Sequence, residues 1–149
     1  MNCQPIGYVK SKVRDQLEEK WGLVISEIHL KKEYGRGLTG LETFSHVIVV
    51  YYMHESRWDP ENDLERRPQG REDMPKVGIF AQRAKHRPNP IGITAVKLIS
   101  VRENVIEVQG LDAIDTTPVI DIKPYYPVYD RKEQAKVPEW VNRLMADYF

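Results

Sequence analysis

Ile93-Thr94-Ala95-Val96-Lys97-Leu98-Ile99-Ser100-Val101, a turn at Arg102-Glu103-Asn104, and a return through Val105-Ile106-Glu107-Val108-Gln109 make the best hairpin in the chain. Two β-branched, apolar-rich runs separated by a short polar turn are strand signals. Working outward, Ser45 to Met53 carries Val47, Ile48, Val49, Val50, Tyr51 and Tyr52 in unbroken succession and reads as a central strand buried on both faces. Ser26 to Glu33 alternates Ile28 and Leu30 with polar neighbours, the pattern of a half-buried strand. Ile6 to Ser11, Val77 to Ala81 and Val119 to Ile122 are shorter strand candidates. Helix is scarce. Pro138 suits a first helical turn, and Trp140, Val141, Leu144, Met145 and Tyr148 recur at helical spacing, so a C-terminal helix is expected over residues 138–148. The pattern predicts a mainly β fold without internal repeats.

A chain of 149 residues is long enough for one respectable core, and a single domain over 1–149 is expected. An apolar content of 41% with 30% charged residues fits a soluble globular protein rather than a disordered one. The longest apolar run, Val47 to Met53, is too short to span a bilayer, and the N-terminus lacks the layout of a signal peptide. Cys3 is the only cysteine, which excludes an intrachain disulfide or a multi-cysteine zinc site and points to a reducing cytoplasm. No membrane partner and no metal are expected.

The net charge of zero hides an uneven distribution. Residues 66–87 carry seven Lys/Arg against two Asp/Glu, and the chain on either side is slightly acidic. The cluster ends in Arg83-Ala84-Lys85-His86-Arg87-Pro88-Asn89-Pro90-Ile91-Gly92. Each proline fixes its own φ and holds the residue before it in extended backbone. Arg87 and Asn89 therefore sit in a stiff loop suited to an anion such as a carboxylate, a phosphate or a nucleotide. The alternative is a solvated loop. Between Met53 and Val77 runs a long polar segment with Pro60, Pro68, Gly70, Pro75, Arg66, Arg67 and Arg71, read as a functional loop or a tolerated insertion.

Dinucleotide, phosphate-loop and nucleophile-elbow motifs are absent. His29, His46, His54 and His86 lack zinc-motif spacing. His29, in an apolar strand, reads as a satisfied core residue. His46 follows Phe44-Ser45, and His54 ends the apolar strand where binding residues gather. Asp112, Asp115 and Asp121 fall within ten residues, in Gly110-Leu111-Asp112-Ala113-Ile114-Asp115-Thr116-Thr117-Pro118 and Asp121-Ile122-Lys123-Pro124-Tyr125. Turn chemistry explains part of this. Set beside a cationic loop, the aspartates also fit a zwitterionic ligand such as an amino acid. Tyr125, Tyr126 and Tyr129 read equally as an interface or as packing under the C-terminal helix.

Four segments, in order, resemble the TsaA-like family, which includes the TrmO tRNA methyltransferases. They are Pro5-Ile6-Gly7 with Ser11; Gly40-Leu41-Glu42-Thr43-Phe44-Ser45-His46 running to His54; Gly78-Ile79-Phe80-Ala81-Gln82-Arg83 with Arg87-Pro88-Asn89-Pro90-Ile91-Gly92; and Gly110-Leu111-Asp112 with Asp115 to Tyr125. The match covers roughly residues 5–130. The resemblance implies a TsaA/TrmO-like antiparallel β-barrel that binds S-adenosyl-L-methionine without a Rossmann domain. It also implies a homodimer with the cofactor pocket near its interface, and N6-methylation of threonylcarbamoyl-adenosine beside the tRNA anticodon. Carried onto this sequence, the cofactor contacts are His54, Glu55, Arg83, Ile93, Gly110, Leu111, Asp112 and Ala113. The loop argument adds Arg87 and Asn89. Trp21-Gly22-Leu23, less closely matched, is a further candidate contact.

The expected chemistry is positioning of an acceptor nitrogen against an already activated methyl, with water excluded. Asp112, Asp115 and His46 are unranked candidates for a general base, and Leu111 and Ile93 for the walls of an adenine slot. Two departures bear on the substrate. The family loop often reads Arg-Ser-Pro where this chain has Arg83-Ala84-Lys85-His86, and longer bacterial members carry a second domain that helps hold tRNA. A methyltransferase of a small metabolite, and a non-catalytic S-adenosylmethionine-binding regulatory protein, are the other classes open to this sequence.

Overall fold

The computed structural model describes residues 2–15 and 20–149. Its strands are β1 (Gly7–Lys10), β2 (Ile25–Leu30), β3 (His46–Tyr52), β4 (Glu65–Arg66), β5 (Val77–Gly78), β6 (Ile91–Arg102), β7 (Val105–Gln109) and β8 (Pro118–Pro124). Helices are short: α1 (Pro60–Asp63), α2 (Pro127–Asp130) and α3 (Glu139–Met145). Six strands close an antiparallel barrel in the order β1-β2-β7-β6-β3-β8, with β8 pairing back onto β1.

The β6–β7 hairpin anchors this topology. Arg102 pairs with Val105, so the turn is Glu103-Asn104, with Glu103 at φ 52°. Asn104 then brackets Leu30 of β2, accepting from its N–H at 2.8 Å and donating from its amide to its carbonyl at 2.5 Å. β6 is long enough to serve two neighbours. Ile91 to Lys97 pair with β3, and Lys97 to Arg102 pair with β7, with an irregularity between Leu98 and Ser100. A bulge of this kind bends a strand and increases its twist, which closing a barrel requires. The barrel is filled by Ile28, Val47, Val49, Ile106, Val108, Leu111 and Val119, all with no exposed surface. Truncating one such residue, as in Ile106→Ala, should cost about 2–5 kcal/mol.

Three expectations change. β3 is not buried on both faces: Val47, Val49 and Tyr51 point inward, whereas Ile48 and Val50 are half-buried and Tyr52 is exposed. Its outer face is apolar nonetheless, which is why the sequence reads as a central strand. His29 is not a core residue; it sits on the outer face of β2 and pairs with Glu27 at 2.7 Å, holding that carboxyl below its ordinary range. Residues 53–77 are not an irregular loop. Asp59 caps α1 by accepting from the Glu61 N–H at 3.1 Å, and the buried Asp63 accepts from the Asp59 N–H and pairs with Arg66 at 3.3 Å. β4 pairs with β5, and the Gln82 amide donates to the carbonyls of Arg66 and Val77 across that pair, over buried Met74 and Ile79.

A C-terminal helix forms as α3, shorter than the expected 138–148, with Pro138 just before it in extended backbone and Tyr148 beyond its end. Tyr125 and Tyr126 lie with Phe44 and His46 around a groove of about 610 Å³ at the His46 end of β3, and the Phe44 and Tyr126 rings stack at 5.9 Å.

Candidate functional site

At the other end of β3 the inward residue is Tyr51. The register sets Tyr51 opposite Gly92 and Val49 opposite Thr94. Gly92 is required there, because a Cβ would lie 2.3 Å from the Tyr51 ring. With the ring seated over Gly92, its hydroxyl and that of Thr94 lie 3.4 Å apart. The loop from Gly110 to Thr117 folds over this end. Gly110 starts it at φ 92°, in the left-handed region that a glycine adopts without strain. Leu111 and Ala113 are buried in the core, and Asp112 between them turns to the hydroxyls.

Asp112 is the centre of the arrangement. Its Oδ1 accepts from Tyr51 at 2.8 Å and from Thr94. Its Oδ2 accepts from Tyr148 at 2.9 Å, and its backbone carbonyl also accepts from Tyr51 at 3.2 Å. Burial first, then the Asp112 charge, hold the Tyr51 and Tyr148 phenols well above the ordinary tyrosine range. Both therefore stay protonated and act as donors. Among the described residues no Lys, Arg or His forms an ion pair with Asp112. A half-buried carboxylate served by neutral donors alone is suited to receive a cationic group.

The other sequence candidates fall in several places. His54 lies just past β3; its Nε2 is 3.5 Å from the Thr116 hydroxyl, and its buried Nδ1 has no partner among the described residues. Glu55 is exposed. Arg83 donates to the carbonyl of Ile93, tying the cationic loop to the start of β6. Arg87 donates to the Gln82 carbonyl at 3.4 Å, and the Asn89 carbonyl accepts from the Ile91 N–H at 2.7 Å. Much of the cationic segment is thus internally braced, with Arg66 paired to Asp63 and Arg71 to Asp73.

The two residues expected to wall an adenine slot point in different directions. Leu111 faces the barrel core, and Ile93 points outward from β6 with 51% of its surface exposed. The three proposed bases are also not equivalent. Asp115 accepts from the Ser11 N–H at 3.0 Å while its own N–H donates to Val13, so it fastens the loop to the chain after β1. His46 is five residues from Tyr51 along the strand, about 17 Å at strand rise, and its Nδ1 lies 2.8 Å from the Ser45 hydroxyl. Only Asp112 belongs to the hydroxyl cluster. Tyr51, Thr94 and Tyr148 were not singled out from the sequence as site residues. The hint in the sequence is the tyrosine pair Tyr51-Tyr52 at the end of an apolar strand; that Tyr51 faces a glycine follows only from the register.

The Trp21-Gly22-Leu23 segment lies close by. Trp21 is buried, the Gln109 amide donates to the Gly22 carbonyl at 2.9 Å, and the Gly110 N–H donates to the Val24 carbonyl at 2.9 Å. Two of the sequence-derived contact segments, 21–23 and 110–113, are therefore joined.

Closed antiparallel barrels take small ligands at their mouths, and a closed barrel with a polar cluster at one end is the class of protein this fold and site define. The model of the tRNA-methyltransferase O N-terminal domain matches residues 18–131, and the chain belongs to that family. It is 40% identical over 134 residues to a probable S-adenosyl-L-methionine-binding protein of Methanothermobacter thermautotrophicus, covering 87% of this chain and 93% of the relative. It is 36% identical over 138 residues to the tRNA (adenine(37)-N6)-methyltransferase of Escherichia coli, covering 83% of this chain and 57% of that enzyme. A crystal structure of TrmO from Pseudomonas aeruginosa superposes with a TM-score of 0.76 at 28% identity, covering 94% of this chain and 61% of that one. The chain thus spans nearly all of the archaeal relative and little more than half of the bacterial proteins.

Proposed function

We propose that the chain is an S-adenosyl-L-methionine-dependent methyltransferase acting on tRNA, at N6 of the threonylcarbamoyl-adenosine beside the anticodon. The observation that carries the cofactor site is the Asp112 carboxylate, held by three hydroxyls and paired with no cation among the described residues. The buried Nδ1 of His54 on the same loop system, without a partner among the described residues, supports it. The cofactor supplies a methyl activated on a sulfonium, so the protein's task is to bind, orient and exclude water. In this reading His54, Glu55, Arg83, Ile93, Gly110, Leu111, Asp112 and Ala113 surround the cofactor, Leu111 and Ala113 through their backbone. Arg87 and Asn89 stiffen the loop that carries Arg83. Asp112 acts as an electrostatic partner rather than a base, because a carboxylate already accepting three hydroxyl protons is poorly placed to take another.

The chain works as one domain in the cytoplasm and as a homodimer. Tyr52 and Ile91, Val50 and Ile93, and Ile48 and Ala95 are cross-strand neighbours on the outer face of β3 and β6. This apolar face is uncovered in the single chain, with Tyr52, Ile91 and Ile93 exposed, and a second copy would cover it.

The test is methyl transfer from S-adenosylmethionine to unmodified tRNA, read by mass spectrometry of the modified nucleoside, at two salt concentrations. Product that diminishes with salt supports an RNA substrate. Cofactor binding with no transfer to tRNA would refute it and favour the second reading, a binding protein without this reaction. That alternative has its own support, since the archaeal relative that this chain nearly spans is named as a binding protein.

A further inference from the structure

We infer that Tyr148, which lies outside the segment matched by the family model, is a positioning residue of the cofactor site, holding Oδ2 of Asp112 and joining the 21–23 and 110–113 segments into one wall. This rests on the reading of that site as the place of S-adenosylmethionine.

A carboxylate offers about four acceptor positions. Oδ1 of Asp112 is served from inside the barrel by Tyr51 and Thr94, which the strand register places there. Oδ2 is served from outside the barrel, by a residue 36 positions further along the chain. That leaves one acceptor position on Oδ2, with its direction set by the Tyr148 hydroxyl. The phenol is a suitable donor because it stays protonated throughout the physiological range.

The tail beyond α3 is placed by more than this one hydrogen bond. The Lys20 N–H donates to the Asp147 carbonyl and the Trp21 N–H to the Tyr148 carbonyl, both at 2.8 Å. Gly22 leaves room for the backbone of Phe149, whose carbonyl carbon would lie 2.7 Å from a Cβ at that position. The Tyr148 and Phe149 rings meet edge to face at 4.9 Å. At the base of α3, Arg143 donates to the Asp73 carbonyl at 3.2 Å. Tyr148 therefore touches both candidate contact segments at once: its backbone carbonyl binds Trp21 and its hydroxyl binds Asp112.

The experiment is calorimetric titration with S-adenosylmethionine of the full chain, of Tyr148→Phe and of Gly22→Ala, each also unfolded thermally without ligand. Tyr148→Phe keeps the ring and removes the donor. Gly22→Ala keeps the donor and displaces the tail. Each should weaken binding about tenfold, as expected for loss of a hydrogen bond to a charged group. The double variant should be no weaker than the worse single, since both changes break the same link. In methyl transfer, Tyr148→Phe should raise KM for the cofactor and leave kcat at saturation unchanged. A merely structural tyrosine would lower the melting temperature with the affinity of the folded protein intact, and that result overturns the inference. Tighter binding by Tyr148→Phe would also overturn it, because the tail would then be obstructing the site. If the wild type itself does not bind the cofactor, the underlying reading fails too, so the two failures are distinguishable.

Discussion

Gly92→Ala should be among the most damaging single-methyl additions in this protein. The new Cβ would lie 2.3 Å from Cε2 and Cζ of Tyr51 and 2.8 Å from its hydroxyl oxygen. Carbon atoms rest at about 3.5–4.0 Å, so the ring would have to retreat by roughly 1.2–1.7 Å. Tyr51 is 3% exposed and its hydroxyl sits 2.8 Å from Asp112, so a shift of that size breaks the hydrogen bond. Overpacking costs about 1–3 kcal/mol, and loss of a hydrogen bond to a charged group about 1.5–3 kcal/mol. Together they give about 2.5–6 kcal/mol, a fall in melting temperature of about 5–24 °C for a chain of this length. The assay is urea and thermal unfolding beside Gly37→Ala, where an added Cβ meets nothing within 4 Å. That control should be neutral or stabilising by about 0.4–1 kcal/mol. Unfolding of Gly92→Ala within about 0.5 kcal/mol of wild type would refute the claim that Gly92 seats Tyr51 against Asp112.

The raised phenols make stability sensitive to alkali. The folded state keeps the Tyr51 and Tyr148 protons above the unfolded tyrosine value near 10, so stability is intact below about pH 10 and falls as pH rises beyond it; Tyr51→Phe should flatten that fall in pH-dependent unfolding. On the acid side, burial and the neighbouring Lys85 and Arg66 hold His86 below its ordinary value, and its Nδ1 accepts from the Arg57 N–H at 3.0 Å. The unfolded chain binds that proton first, so stability is lost as pH falls below about 6.5; His86→Gln should remove the slope, and an unchanged acid limb would exclude His86 as its source. Ile91→Glu, placed on the exposed apolar face opposite Tyr52, should halve the mass seen by light scattering, and a dimer unaffected by it would move the interface elsewhere.

Much of the barrel was legible because strand signals are local. The hairpin at 93–109 declared itself by two β-branched runs and a polar turn; β1 lies within the segment expected for it, while β2 begins one residue before its expected segment and β8 runs past its own at both ends. β3 misled in one respect. Its apolar outer face looks the same in sequence whether a layer of the same chain or a second copy covers it. The segment at 53–77 was illegible for a different reason. Its order comes from Asp63 meeting Arg66 and from Gln82 reaching back to Arg66 and Val77, contacts that no composition rule detects. The site divides in the same way. Asp112 and Arg83 stand in recognisable motifs. Tyr51, Thr94 and Tyr148 converge on Asp112 only through strand register and the path of the tail. Tyr148 could be read from sequence only as one residue of a helix face, whereas the helix ends before it and leaves its side chain free to turn toward the barrel.

The most direct test of the central claim is calorimetric titration of the wild-type chain and of Asp112→Asn with S-adenosylmethionine, with folding of both checked by circular dichroism. The site described here predicts saturable binding to the wild type, weakened roughly tenfold or more in a folded Asp112→Asn. Equal affinity of the two proteins would contradict it and remove Asp112 from the cofactor site.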